Sequence, residues 1–315
     1  MAVAVRIARA KTGREKIAFC GYHGWHDWYL AANLCHGDTL DSHLLPGLEP
    51  NGVPRSLAGT AVPFHYNRVD ELERIIAVNE KDLAAIIMEP IRSDKPEPGF
   101  LESVRELATS TGAVLIFDEV TSGWRLNSGG VHLLYKVTPD IAVFAKAISN
   151  GYPMAALVGT SSVMQAAQDT FISSTYWTER IGPTAALATI HKHRAQGVSN
   201  RLIELGNRIQ AGWRETADHA GLAMTITGIS PLSRFTFELT KSQAVRTLFT
   251  QMMLDRGFLA TNSFYAMFAH EDRQVSDYLA AIGEIFPALA RAIERQEVER
   301  LLRGPVAHTG FYRLA

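Results

Sequence analysis

The feature that most constrains this chain is a series of short, nearly continuous apolar runs. They are Ala84–Glu89 (AAIIME), Val114–Val120 (VLIFDEV), Ile141–Ala145 (IAVFA) and Ala155–Gly159 (AALVG). Runs of this kind are typical of strands buried on both faces of a parallel sheet. Between the first two, Gly99–Gly112 carries apolar residues at helical spacing, and strands that alternate with helices predict right-handed βαβ units. We therefore expect an α/β fold with a mostly parallel sheet.

The pattern of the chain changes near residues 190–200. Helical periodicity then covers Pro183–His193, Asn200–Ala220, Gln243–Arg256 and Gln274–Arg295, and apolar residues alternate along Thr225–Leu239. Long helical segments around one alternating segment indicate an α+β lobe. We expect a large domain over residues 1–195 and a smaller C-terminal domain over residues 196–315.

Composition excludes several classes of protein. The 315 residues hold 31 Lys and Arg against 32 Asp and Glu, a net charge of −1, which gives no electrostatic drive toward nucleic acid. No uncharged apolar run reaches the roughly 20 residues that a membrane helix needs. The two cysteines, Cys20 and Cys35, form neither a metal motif nor a disulfide framework. A cytoplasmic location is therefore expected.

The first helical segment has no capping residue in front of it. Apolar and arginine residues of Met1–Arg14 (MAVAVRIARAKTGR) follow helical spacing, but no Ser, Thr, Asp or Asn precedes them. Arginines interrupt any signal-peptide core, and a transit peptide is the remaining alternative, against which the lack of serine argues. We expect a helix that starts without the usual N-terminal capping residue and leads directly into a strand at Lys16–Cys20.

The polar residues at the strand ends are the first candidates for a functional site, because ligands of such sheets bind beyond the carboxyl ends of the strands. These residues are Glu89, Asp118, Glu119 and Lys146. A buried acid is costly unless it faces a cation. Asp118 or Glu119 could therefore bind a metal, cap a helix or hold a protonated ring nitrogen. Lys146 suits Schiff-base chemistry because desolvation lowers the pKa of an amine, and the alternative is a lysine that extends to solvent.

Two loops are further candidates. Gly21–Asp27 (GYHGWHD) places aromatic rings between glycines, which suits contact with a flat ligand, although its histidines and aspartate could also bind a metal. Ser173–Ala186 (SSTYWTERIGPTAA) is rich in hydroxyl groups and leads into a predicted helix. The first N–H groups of that helix could accept a phosphate, or the segment could simply cap the helix.

Taken together and in this order, these segments resemble the class III aminotransferases, which include glutamate-1-semialdehyde aminomutase. The resemblance runs from AVRIARAKTGREKI to GPVAHTGFYRL and includes MEP at 88–90 and RGFLATNSFYAMFAH at 256–270. It implies a fold-type I large domain and pyridoxal 5'-phosphate (PLP) as cofactor. It also implies a small-molecule amino donor and acceptor and a homodimer.

The resemblance implies roles around the cofactor ring. Lys146 matches the lysine that forms the internal aldimine and then moves a proton on the substrate. Asp118 matches the acid that pairs with the pyridinium nitrogen and keeps the ring protonated. Val120 and Tyr22 would cover the two faces of the ring, with His23 beside Tyr22.

The resemblance extends to the cofactor's phosphate, with one departure. Thr178 matches a phosphate-binding threonine that reaches the cofactor of the partner subunit, and Glu89 matches a strand-end glutamate with a supporting role. Family members carry a further N-terminal region whose Ser-Gly-Thr/Ser-Glu-Ala stretch holds the phosphate, and this chain starts just after it. We therefore expect weaker PLP binding than in a version with that region restored.

Two functions are consistent with this pattern. One is a PLP-dependent aminotransferase or 2,1-aminomutase. The other is a truncated, catalytically inactive or structural homologue. The residues for ring chemistry favour the first, and the missing phosphate stretch favours the second.

Overall fold

A computed structural model describes residues 1–43 and 46–310 of the chain. The strands are β1 Lys16–Cys20, β2 Ala61–Pro63, β3 Leu83–Met88, β4 Val114–Asp118, β5 Ile141–Phe144, β6 Ala156–Gly159, β7 Met224–Thr227, β8 Leu232–Phe237 and β9 Ser263–Tyr265. The helices are α1 Ala2–Thr12, α2 Asp27–Leu30, α3 Val69–Asn79, α4 Phe100–Thr111, α5 His132–Tyr135, α6 Ser161–Met164, α7 Ile181–Ala195, α8 Val198–Ala220, α9 Ser242–Asp255, α10 Asp272–Glu294 and α11 Val298–Leu301. Two compact units separate between Gln196 and Gly197.

The first unit is built on a six-stranded sheet in the order β2-β1-β3-β4-β5-β6. Neighbouring strands from β2 to β5 are parallel, whereas β5 and β6 are antiparallel. The fold class is therefore the mixed α/β arrangement that the apolar runs predict. Helix α4 connects β3 to β4, so these elements form one of the expected βαβ units.

Strand β6 differs from the buried parallel strand that its apolar run suggests. The connection from Phe144 to Ala156 holds only a short 3-10 turn at Lys146–Ser149. A parallel crossover usually needs a dozen or more residues with a helix, so β6 returns as an antiparallel edge strand. Val158 is consequently 53% exposed.

Both faces of the sheet are buried, which explains why its strands lack alternation. On one face, Ile87 and Ile116 pack with residues of α1. On the other face, Ile86 and Leu115 pack with residues of α3 and α4. Helix α1 begins after Met1, and the part of the chain that the structure describes provides no side-chain cap there, as its sequence predicts.

The second unit, residues 197–309, packs helices against a three-stranded antiparallel sheet in the order β7-β8-β9. The alternating segment Thr225–Leu239 becomes the β7–β8 hairpin. Inward side chains of β8, including Phe235, pack on Phe249 and Phe286 with ring centroids 5.3 and 5.8 Å away. Trp213 of α8 donates its indole N–H to the hydroxyl of Tyr278 at 2.9 Å, which ties α8 to α10.

No helix in residues 1–43 or 46–310 is both long enough and apolar enough to cross a membrane.

Two glycines in the helices of the second unit test its packing. A Cβ at Gly206 of α8 would overlap the carbonyl oxygen of Ser230, whereas a Cβ at Gly283 of α10 would meet nothing. We expect Gly206→Ala to lower the free energy of unfolding by about 1–3 kcal/mol through overpacking. Gly283→Ala should raise it by up to about 1 kcal/mol through helix propensity. Hydrogen exchange of residues 197–309 in urea measures both, and equal effects of the two changes would contradict this packing.

Candidate active site

The carboxyl ends of four parallel strands meet at one edge of the large sheet. Cys20 lies opposite Met88 in the register of β1 and β3, Met88 lies opposite Phe117 of β4, and Asp118 lies opposite Val143 of β5. The residues that follow these strands are therefore neighbours. This register assembles the candidate site from segments that are far apart in the sequence.

Asp118, at the end of β4, is a buried carboxylate with a defined orientation. Its Oδ1 accepts the backbone N–H of Val120 at 3.1 Å, and its Oδ2 lies 2.8 Å from Nδ1 of His23. The Nε2 of His23 lies 2.9 Å from the carbonyl oxygen of Cys20. Because a carbonyl oxygen only accepts, Nε2 donates to it. Asp118 is 4% exposed, so contacts within the protein hold its carboxylate away from water.

Glu89, directly after β3, is paired with an arginine that sequence analysis missed. Nη1 of Arg92 donates to both carboxylate oxygens of Glu89 at 2.9 Å. Burial raises the pKa of Glu89, and the charge of Arg92 opposes that rise. Gly21 at the end of β1 has a φ of 101° and approaches this carboxylate closely enough that a Cβ would lie 3.4 Å from Oε2.

Lys146 begins the short turn after β5 with a backbone φ of 52°. A left-handed conformation is costly for a lysine, and such strain is concentrated at functional sites. Its Nζ donates to the hydroxyl of Thr121 at 3.0 Å. Partial burial of the amine and the charge of Arg92 hold the pKa of Lys146 below its ordinary value, while Glu89 and Asp118 oppose this shift.

Tyr22 and Val120 lie on the two loops that flank Asp118. Tyr22 is half-buried and stands edge-on to the ring of Tyr29 with centroids 5.7 Å apart. Val120 is also half-buried, and its backbone N–H binds the Asp118 carboxylate. The structure thus brings five of the predicted residues to one sheet edge together with Lys146. These five are Tyr22, His23, Glu89, Asp118 and Val120.

Thr178 lies apart from that group in the contacts that residues 1–43 and 46–310 provide. It is exposed and precedes α7. The first N–H groups of α7, at Ile181 and Gly182, donate to the carboxylate of Glu179 at 2.7 to 3.2 Å. The helix start is therefore occupied by a capping acid, which favours the capping alternative for this segment. The phosphate role of Thr178 stays a prediction.

Glu119 serves the structure of the loop after β4. It is fully buried, and its Oε1 accepts the backbone N–H of His132 at 2.9 Å while its Oε2 accepts the hydroxyl of Ser122 at 2.6 Å. Of the adjacent acids Asp118 and Glu119, Asp118 is therefore the one whose carboxylate contacts another residue of the candidate site, His23. Within the described part of the chain, no group of three or more His, Cys, Asp and Glu residues could hold a metal ion.

Arg92 and Thr121 are the site residues that sequence analysis did not find. Arg92 stands three residues after a strand-end acid, a spacing at which an arginine can turn back to a carboxylate. Thr121 follows the IFDEV run and is 7% exposed. Hydroxyl and guanidinium side chains are common at such positions in a sequence. The folded structure is therefore needed to show that both side chains lie at the same edge of the large sheet.

Comparison with known proteins gives the family. The model of the family "Aminotransferase class-III" matches residues 1–286. A 3-aminobutyryl-CoA aminotransferase of Cloacimonas acidaminovorans is 34% identical over 294 residues, which are 90% of this chain and 67% of the relative. A glutamate-1-semialdehyde 2,1-aminomutase of Syntrophobacter fumaroxidans is 33% identical over 306 residues, which are 90% of this chain and 70% of the relative.

Solved structures agree with this assignment. An omega-transaminase from Sphaerobacter thermophilus superposes with a TM-score of 0.78 at 26% identity over 92% of this chain and 72% of its own. The FumI protein of Sphingopyxis sp. MTA144, in its PLP internal aldimine form, shares the fold with a TM-score of 0.82 over 96% of this chain and 71% of its own. On sequence and fold together, the chain belongs to the class III aminotransferase family and is a PLP-dependent enzyme.

Proposed function

We propose that this chain transfers an amino group at the carboxyl edge of the large sheet, with Lys146 as its catalytic residue. The observation that carries the proposal is the placement of two groups at one edge. One is the amine of Lys146, whose pKa is lowered. The other is the Asp118 carboxylate, which is buried and fixed by His23. A lysine whose pKa is lowered by its surroundings, at the same sheet edge as a buried carboxylate, is typical of an active site.

The donor set of this edge fits PLP. Asp118 has a hydrogen bond to each carboxylate oxygen from within the protein, which leaves lone pairs for a protonated ring nitrogen. Tyr22 and Val120 are half-buried and offer an aromatic and an aliphatic surface to a flat ring. When bound, the cofactor supplies an electron sink for the bond that breaks at the substrate carbon.

The residues of the chain would then hold and move protons. Asp118 would hold the protonated ring nitrogen, and His23 fixes the direction of the carboxylate through Nδ1. Lys146 would hold the cofactor at its aldehyde group through Nζ, and as a free amine Nζ would take up the proton that leaves the substrate carbon. A lowered pKa keeps more of this amine neutral near pH 7, which general base catalysis requires.

The substrate is a small-molecule amino donor or acceptor. The two named relatives act on a coenzyme A thioester and on an amino aldehyde, so family membership alone does not choose between transfer to another molecule and transfer within one molecule. We place the enzyme in the cytoplasm, because Cys20 and Cys35 are both free thiols and free thiols persist in a reducing compartment.

We also propose that the chain forms a homodimer through the segment 171–187. This segment exposes five large apolar side chains, at 59% to 84% of their area: Phe171, Tyr176, Trp177, Ile181 and Leu187. Large exposed apolar patches mark interaction sites. Aromatic residues are enriched in the cores of interfaces. Thr178 lies within the segment and would reach the cofactor of the partner subunit.

Attachment of the cofactor tests the role of Lys146. Incubation with PLP, borohydride reduction and peptide mapping should place a pyridoxyl group on Lys146, because its amine is the one with a lowered pKa at the strand ends. Lys146→Ala should abolish the label, and the exposed Lys81→Ala should leave it intact. A protein that binds PLP with the label on another lysine would contradict the assignment. No label at all would favour the inactive homologue.

Substitution of two charged residues near Lys146 should shift the pKa of its amine in opposite directions. Arg92→Met removes a positive charge that lowers the pKa of Lys146, so that pKa should rise. Glu89→Gln removes a negative charge that raises the pKa, so that pKa should fall further. The pH dependence of Lys146 acetylation, followed by peptide mass spectrometry in the cofactor-free protein, measures both. Shifts of the same sign in the two variants would show that these charges do not control the amine.

The dimer proposal is tested by light scattering. The chain should scatter as a particle of twice its 34.7 kDa mass. Trp177→Glu should shift it toward the monomer, because a charge in an apolar interface must be desolvated. Val78→Glu, which alters a side chain of α3 that is 79% exposed, is the matched control and should not change the mass. A monomer that binds PLP at full occupancy would overturn the proposal.

A further inference from the structure

One face of helix α7 packs against the residues on either side of Lys146. Ile190 of this helix contacts the apolar cluster that contains Phe144 and Ile148, which stand two residues before and two residues after that lysine. His193 follows Ile190 by three residues and therefore lies on the same face of the helix. Because His193 is 4% exposed, this face buries a polar side chain beside an apolar one.

Both ring nitrogens of His193 contact the loop 121–130, which follows β4. Nε2 lies 3.1 Å from the carbonyl oxygen of Trp124, and Nδ1 lies 2.8 Å from Oγ of Ser128. The carbonyl oxygen only accepts, so Nε2 donates to it. Burial lowers the pKa of His193, although the hydrogen bond to Trp124 opposes this shift, and the neutral ring accepts the hydroxyl proton of Ser128 at Nδ1. One side chain of α7 thus binds the loop at two points.

The loop has a backbone conformation that depends on contacts outside it. Trp124 has a φ of 55°, which is costly for a large aromatic residue. Its ring stands edge-on to Phe144 with centroids 5.0 Å apart, and a Cβ at Gly123 would lie 2.8 Å from an atom of the same ring. Strained backbone persists where the surrounding structure fixes it. The hydrogen bond from His193 to the Trp124 carbonyl is one of the contacts that do so.

The same loop contacts the amine of Lys146. Thr121, at the start of the loop, accepts a hydrogen bond from Nζ at 3.0 Å. The pKa of Lys146 is lowered first by burial, then by the charge of Arg92, and also by the charge of Arg125 within the loop. A loop that moved outward would admit water to the amine and take Arg125 away from it. Both changes would raise the pKa of the amine.

We propose that His193 is a positioning residue of the amino-transfer site, which holds the loop 121–130 against Lys146 so that Thr121 binds Nζ. His193 acts through the loop and does not itself touch the reacting amine. The inference rests on the function proposed above, because Lys146 is the group whose reactivity the loop would control. It gives α7 a role in the chemistry as well as in packing.

The simpler role for His193 would be to fill space in the interior of the large unit. His193→Leu keeps an apolar side chain there and removes the donor to the Trp124 carbonyl. His193→Gln is the conservative variant, because an amide also offers one nitrogen donor and one oxygen acceptor. Ser128→Ala removes the Nδ1 contact from the side of the loop and leaves α7 unchanged. His191→Leu is the matched control at an exposed position of the same helix.

The first measurement uses the cofactor-free protein and determines the pH at which the acetylation rate of Lys146 is half its maximum. His193→Leu should raise this midpoint by about half a unit or more, toward the ordinary value of a lysine. Ser128→Ala should raise it less, and His193→Gln and His191→Leu should leave it near that of wild type. Three other charges that act on the amine are the same in every variant: Arg92, Glu89 and Asp118. A wild-type midpoint in both His193→Leu and Ser128→Ala would overturn the proposal.

Hydrogen exchange of the same proteins shows whether the loop has moved. The amide of Trp124 donates to the carbonyl oxygen of Gly129 at 2.9 Å and should exchange faster in His193→Leu, whereas the amides of β3 and β4 should keep their wild-type rates. Faster exchange throughout the large unit with an unchanged Lys146 midpoint would show a packing role alone and contradict the proposal. If His193→Leu does not fold, the midpoint of Ser128→Ala decides.

Cofactor attachment separates this inference from the proposed function. With PLP and borohydride near neutral pH, the rate at which Lys146 takes up the pyridoxyl label should fall about threefold in His193→Leu, in proportion to the neutral amine. His193→Gln should restore the rate. Equal rates in wild type and His193→Leu would count against the positioning role. A wild type that takes no label would refute the proposed function, whereas a raised acetylation midpoint would still support the hold of His193 on Lys146.

Discussion

Compensation of buried charge at the carboxyl edge of the large sheet is the constraint on which the site depends. The parallel register brings Glu89 and Asp118 to neighbouring strand ends, where two carboxylates would repel each other in a poorly solvated place. Each has its own partner: Arg92 holds Glu89 and His23 holds Asp118. Because breaking a buried pair leaves an uncompensated charge, these partners stabilise the folded edge of the sheet.

Lys146 is controlled by the same set of charges rather than by burial alone. Burial and the charge of Arg92 lower its pKa, and Glu89 and Asp118 raise it, so the amine's protonation reflects burial together with charges at the ends of two strands, β3 and β4. The backbone adds a second constraint, because Lys146 has a positive φ. The following turn to β6 is held by the antiparallel pairing of β5 and β6, which stabilises a conformation that lysine alone would disfavour.

The same charges include a pair that the sequence pattern did not reveal. The family model matches the whole segment that holds Tyr22, Asp118 and Lys146. At the same sheet edge, Nη1 of Arg92 donates to both oxygens of Glu89. Arg92 thus lowers the pKa of Lys146 through its charge while it compensates the carboxylate of Glu89.

The sequence alone determined the α/β class, the helices and the buried strands, because apolar periodicity is local and both faces of the sheet are covered. It also placed Lys146 and Asp118 at strand ends. Only the tertiary structure decided the rest. The antiparallel return of β6 depends on a short connection, the capping of α7 by Glu179 depends on a local carboxylate, and the roles of Arg92 and Thr121 depend on which strand ends meet. Spacing along the chain cannot show such meetings, because register across a sheet is set by long-range packing.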